Sequence, residues 1–144
     1  MPRTSTGTVL NVTCQLLNYY GLERQLIANP ADGALSIEAA LFRATTDRTP
    51  NAFLGDDALA QLLIDTNETV QGALRWISAA LPTDAPHDPN TDIDDHLEHI
   101  RTWVNDIDFF TQRQPSVSDV IGVLKRAAQL ANTLTDIPAP RAAA

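Results

Sequence analysis

The chain predicts an all-α fold, a compact bundle of about five helices around a central N-terminal helix. Three observations predict it. Apolar residues recur at helical spacing in one stretch after another, and helix-starting and helix-stopping residues stand at the ends of those stretches. The composition is aliphatic as well: 44% of residues are hydrophobic but only 6% aromatic. A chain of 144 residues fits one domain over its whole length. A domain of that size buries about 70% of its unfolded surface and needs no disulfide or metal staple.

The first helix is expected from about Thr8 to Tyr20, closed by Gly21 in the left-handed conformation. Val9, Leu10, Val12, Cys14, Leu16, Leu17, Tyr19 and Tyr20 cover more than half its circumference, leaving Asn11, Gln15 and Asn18 as a polar strip. So wide an apolar arc is packed on several sides, which makes this helix central. Asn29-Pro30-Ala31-Asp32-Gly33 is a turn by composition, and the flanking Gln25-Leu26-Ile27 and Leu35-Ser36-Ile37 leave a minor β-hairpin open. The second helix, Ser36 to Ala44, is apolar except for Glu38 and Arg43, so it too is expected to be buried. Thr45 to Asn51 is polar, contains Pro50 and is expected as a loop.

Leu59, Leu62, Leu63, Thr66, Val70, Ala73, Leu74, Ile77, Ala80 and Leu81 fall on one arc. The stripe keeps register through Asp65-Thr66-Asn67-Glu68, which predicts one continuous third helix from about Asp56 to Ala80. Pro82 stops it, and residues 82–91, with three prolines, are expected as an exposed loop. The fourth helix is expected to open at Thr91 with Asp94 answering it in a capping box. Ile93, Leu97, Ile100 and Val104 would form its buried seam. Ile107, Phe109 and Phe110 lie in the loop that follows and are expected to anchor it to the core, the alternative being an exposed hot spot for a partner. The last helix starts at Ser116, with Asp119 three residues on, and runs to about Leu134. Val117, Val120, Ile121, Leu124, Ala127, Ala128 and Ala131 line one half of it, and Lys125, Arg126, Gln129 and Asn132 the other. The tail, 136–144, is expected to be disordered.

Charge is concentrated. The net charge is −8, which disfavours nucleic acid and anionic membrane as direct partners. Asp84, Asp88, Asp92, Asp94, Asp95, Glu98, Asp106 and Asp108 stand against Arg101 alone, so 25 residues carry −7 of the total. Regular carboxylates on a helix suit a protein partner with a basic surface, or mimic the phosphates that a nucleic-acid-binding protein would grip. Asp92, Asp94, Asp95, Glu98 and Trp103 are the expected members of that face, with Phe109 and Phe110 beside it.

Asp92, His96, His99 and Trp103 share one helical stripe, so two imidazoles and a carboxylate could reach a divalent metal. The plainer reading is an exposed polar flank, sensitive to pH. Cys14 lies within an apolar arc and is expected to be a buried structural thiol. No phosphate-binding glycine loop, nucleophile elbow, CxxC pair or HExxH motif occurs, so no catalytic residue and no cofactor is assigned, and the expectation leans away from an enzyme. No apolar run approaches a membrane span, and the N-terminus lacks the apolar core of a signal peptide, so the cytoplasm is the expected compartment.

Three segments resemble an uncharacterised family of small proteins from actinobacteria and their phages. They are the helix ending at Tyr20-Gly21, the Gly33-Ala34-Leu35 entry into Ala39-Ala40-Leu41-Phe42-Arg43-Ala44, and Trp103-Val104-Asn105-Asp106 with the Ser116–Ala128 stretch after it. Val104 departs from the pattern by standing inside the tryptophan–asparagine–aspartate motif, and Asp47 to Asp95 has no counterpart. The resemblance implies a bacterial or phage source and carries no activity with it. The leading expectation is a non-catalytic acidic accessory protein that binds another protein, phage-related or nucleic-acid-mimicking roles included. The alternatives are a metal-binding protein or metal-dependent enzyme using Asp92, His96 and His99, and a structural homo-oligomer held through the last helix.

Overall fold

Six α-helices follow one another in the computed structural model, which describes residues 5–83, 85, 87–90 and 93–134. Helix α1 (Thr6–Tyr20) starts at Ser5, whose hydroxyl accepts the Thr8 N–H. It packs against three later helices: α2 (Ile37–Thr46), α4 (Glu68–Ala80) and α6 (Val117–Thr133). The bundle around a central first helix is therefore as expected. Val9, Leu10 and Leu17 are wholly buried, and the Thr13 hydroxyl among them donates back to the Val9 carbonyl at 2.8 Å. Asn11, Gln15 and Asn18 face water as predicted. Tyr19 joins them at 82% exposure, so the apolar arc is narrower than its composition suggested.

Gly21 closes α1 with φ of 94° and ψ of 165°. The positive φ suits glycine, but ψ is extended and not left-handed helical as expected. The reason lies downstream: the Gly21 carbonyl accepts the Leu35 N–H at 3.0 Å, so the chain must run straight past Leu35. The hairpin left open for this segment does not form as a ladder. Leu35 makes two isolated bridges instead, parallel to Leu22 and antiparallel to Ala28. One strand is lost because the Glu23 carboxylate takes the N–H groups of Gln25 (2.8 Å) and Leu26 (3.1 Å), curling that segment into a turn. Those bonds hold the Glu23 carboxyl below the usual carboxylate range.

Ser36 caps α2 through the Ala39 N–H, and the helix runs two residues beyond the expected Ala44 because Thr45 and Thr46 donate back to the Leu41 and Phe42 carbonyls. A 3-10 turn (Asn51–Leu54) then seats Phe53 edge-on against Phe42, 5.2 Å between centroids.

The third helix is not continuous. It is two: α3 (Asp57–Thr66) and α4, broken at Asn67. Asn67 leaves the helical region with ψ of 105°, and its side-chain oxygen accepts the Val70 N–H at 3.0 Å. Asparagine offered the backbone a cap in place of a helical bond, and hydrophobic register across the break concealed that choice. Leu59 and Leu62, expected on the buried stripe, are exposed, while Ala60 and Ile64 are buried. Beyond Asn67 the stripe holds, with Val70, Ala73, Leu74, Ile77, Ala80 and Leu81 buried.

Residues 82–91 are not loop throughout. Strand β1 (His87–Asp88) pairs antiparallel with β2 (Ile93–Asp94), in the register His87 to Asp94 and Asp88 to Ile93. Helix α5 (His96–Asn105) therefore begins later than expected, capped by Asp95, which accepts the Glu98 N–H at 3.0 Å. Ile93 and Asp94 belong to a strand; Thr91 and Asp92 lie outside the described residues, as does the 136–144 tail. Helix α6 opens with the full capping box of Ser116 and Asp119, as predicted, and buries Val120, Val123, Leu124, Ala127 and Ala128.

The break at Asn67 makes a test. Asn67→Ala removes the α4 cap and should cost about 1 kcal/mol, read as a lower urea midpoint with an unchanged slope. An unaltered midpoint would mean that the cap contributes nothing.

Candidate functional site

Helix α5 is fixed by three sets of contacts. Ile100 and Val104 are buried in the core, with Leu97 half-buried beside them. His99 is buried as well, its Nδ1 2.6 Å from the Ser78 hydroxyl on α4 and its Nε2 2.7 Å from the Thr83 hydroxyl. A neutral imidazole donates through one nitrogen and accepts through the other, and each hydroxyl can complete either role. The expected exposed stripe is therefore not assembled. His99 turns inward to α4, His96 is half-buried, and Asp92 lies outside the described residues. Among the described residues no group of three or more His, Cys, Asp or Glu side chains is placed to hold one metal ion. Ile100 and Val104 keep the expected seam, and His99, next to Ile100, turns inward with them because the Ser78 and Thr83 hydroxyls receive its ring nitrogens.

The third contact is an ion pair. Arg101 reaches across to Glu38 in the first turn of α2, with Nη2 and Nε 2.7 and 2.8 Å from Oε2, and its Nη2 also donates to the Gln61 side chain of α3 at 3.0 Å. Glu38 is only 4% exposed. One guanidinium thus ties three helices together and satisfies a carboxylate that would otherwise be buried alone. A second arginine, Arg24, donates to the backbone carbonyls of Val104 and Pro115, and the Asn105 side chain returns a bond to the Arg24 carbonyl at 3.2 Å. Between these ties lies a polar groove of about 550 Å³, bordered by the 22–27 segment, α2, α3 and α5.

These contacts fix where the acids go. Asp95 and Glu98 are exposed, as are Asp106 and Asp108 in the following loop. Asp95 is committed to its capping bond, and Glu98 accepts from the Thr102 hydroxyl at 3.4 Å. The side chains of Asp92 and Asp94 fall outside what the structure describes. Trp103 is half-buried and packs against the core.

Phe109 and Phe110 do not anchor their loop. They stand 81% and 90% exposed, their rings edge-to-face at 5.4 Å, with Ile107 beside them at 60%. The loop needs no aromatic anchor because Asp108 holds it. The Asp108 carboxylate accepts the N–H groups of Phe110 (2.8 Å) and Thr111 (3.0 Å). Its backbone accepts from Gln112 and donates to the Arg113 carbonyl. Gln112 takes a left-handed φ of 57°, and its amide donates to the Phe109 carbonyl. The two N–H groups from Thr111 and Phe110 hold the Asp108 carboxyl below its ordinary range. Next to this loop a second groove of about 550 Å³ runs along α6, with Trp103, Val123 and Gly122 among its lining and Arg113 and Arg126 at its edges.

Cys14 is buried, as expected, and burial pushes its thiol up against the opposing pull of Lys125. Sequence reasoning missed the Glu38–Arg101 tie, although a signal existed: Glu38 is the lone acid in an otherwise apolar helix. No known protein family matches the chain, and neither does any curated protein or solved structure.

Arg101→Ala strands the Glu38 carboxylate and should cost about 3 kcal/mol in chemical denaturation. Pairing Arg101→Met with Glu38→Gln should recover part of that loss, and equal losses for the single and double variants would refute the tie. For the loop, the depressed Asp108 pKa means that its contribution is present above the ordinary carboxylate range and is lost as pH falls through the folded value. Acidification, or Asp108→Ala at neutral pH, should lower the protection factors of the Phe110 and Thr111 amides, their exchange being corrected for the intrinsic pH dependence. Unchanged protection in both cases would show that the carboxylate does not hold the loop.

Proposed function

We propose that this protein is a non-catalytic accessory protein that binds a protein partner of basic surface through the outer side of α5 and the loop after it. The observation that carries this reading is the direction of Arg101. It is the only Lys or Arg between residues 84 and 108, and it is spent inward on Glu38. Glu98 and Asp106 consequently face water without that cation to neutralise them. Like charges on a helix locked at Ile100, Val104 and His99 create a fixed negative field, which speeds encounter with a basic surface and sets its orientation. The metal-centred alternative is the weaker reading, since His99 gives both ring nitrogens to hydroxyls.

The test uses charge reversal at positions whose side chains make no capping hydrogen bond. Glu98→Lys with Asp106→Lys should weaken a captured partner's binding at least about tenfold, and added salt should weaken the wild-type complex in the same way. Asp65→Lys with Glu68→Lys, both exposed, on α3 and α4, serves as the control for the same change in net charge and should have little effect. A partner held equally by wild type and the double reversal would dispose of the acidic face.

A further inference from the structure

We propose that a second copy of this chain occupies the groove along α6, each copy seating its Phe109–Phe110 loop in the groove of the other around a twofold axis. This contact shares the loop after α5, Asp106 included, with the acidic face, but its occupant and its test are different.

The argument starts from the projecting rings. Two neighbouring phenylalanines at 81% and 90% exposure, with Ile107 at 60%, form an apolar projection. At roughly 150–250 Å² per aromatic side chain, the two rings alone supply close to half of the ~800 Å² that each partner buries in an ordinary stable interface. The projection is also rigid. Five bonds close the loop: the side chains of Asp108 and Gln112 bond to Phe110, Thr111 and Phe109, and the Asp108 backbone bonds to Gln112 and Arg113. Little ordering entropy is left to lose on docking.

The groove begins where the loop ends. Asp108, Thr111 and Arg113 of the loop themselves form one side of it, and α6 forms the other through Asp119, Gly122 and Arg126. A projection and a recess side by side on one face are what a twofold pair requires, since residue i of one copy must meet residue j of the other and the reverse. A partner of another kind would need only one of the two.

Charge and backbone agree with this occupant. The groove is lined by Arg113 and Arg126 as well as by Asp108 and Asp119, so it is balanced in charge and offers cations to Asp106 of the incoming loop. Gly122, in the middle of α6, is exposed, and a methyl group added there would meet nothing within 4 Å. No contact among the described residues requires a glycine at this place, although an alanine would favour the helix. An approaching side chain would require the space. The net charge of −8 on each copy opposes the pair at long range, so screening by salt should favour it.

Sedimentation equilibrium over a concentration series tests the proposal. Wild type should dimerise reversibly, more tightly at higher salt. Phe109→Ser with Phe110→Ser should weaken self-association at least about thirtyfold, and so should Gly122→Leu, which fills the groove from a residue that favours helix. Gly72→Ala on α4, where added atoms also meet nothing within 4 Å, should leave it unchanged. Circular dichroism shows whether each variant keeps its fold. Mixing the ring-deleted variant, whose groove is intact, with Gly122→Leu, whose rings are intact, should restore a weaker heterodimer through one surviving contact. A wild type that stays monomeric throughout the series overturns the proposal. So does a dimer insensitive to both variants, or a mixture that gives no heterodimer. Glu98→Lys alone, on α5 and outside the loop, reads the acidic face without altering this contact, so the two readings fail separately.

Discussion

Helix α1 packs on α2, α4 and α6 at once, and that burial is the constraint on which the other elements depend. Val9, Leu10 and Leu17 are completely withdrawn from water, and fully burying such side chains contributes about 1.5–3 kcal/mol each. Helices that must cover a common centre cannot rotate freely about their own axes. Their outer faces are therefore decided by the seams they present inward. Helix α5, seated at the edge of this arrangement by Ile100 and Val104, inherits its orientation from it.

That inheritance gives the surface its electrostatic character. Most of the chain's negative charge lies in one stretch, but sequence density alone does not say which way the carboxylates and the single arginine point. Because residues 99, 100 and 104 face inward, Arg101 meets α2 and α3 at their N-terminal halves and finds Glu38 and Gln61. Neutralisation happens at the junction of α2, α3 and α5, where Glu38 is buried and Arg101 partly exposed, and the acids of the outer face lack that cation. In the loop beyond, Asp108 does a different job: it spends its charge on backbone N–H groups and so leaves two aromatic rings with nothing to hold them down.

Much of the fold was legible in the sequence where a local rule and the hydrophobic pattern agreed. The Ser116–Asp119 capping box, the Ser36 start of α2 and the half-buried α6 are all of this kind. Legibility failed where a polar side chain overrode a continuous apolar pattern. Asn67 broke a helix whose stripe never lost register, and Glu23 bent a segment that could have paired as a strand. At the site the exposed acids Asp95 and Glu98 could be foreseen from helical spacing. The inward turn of His99 and the reach of Arg101 to a residue 63 positions away could not, because both depend on neighbours distant in the chain, Ser78 for His99 and Glu38 for Arg101.

The meeting of Gly7 with Asn132 has a topological consequence. A side chain at position 7 would lie 2.2 Å from the Asn132 amide oxygen, so the opening turn of α1 and the closing turn of α6 are immediate neighbours. The path through the bundle thus comes back nearly to its origin. A short covalent join at that pole would close the backbone into a ring, and the order of the helices could then be restarted at an exposed bend such as residues 47–48 with every packed surface retained.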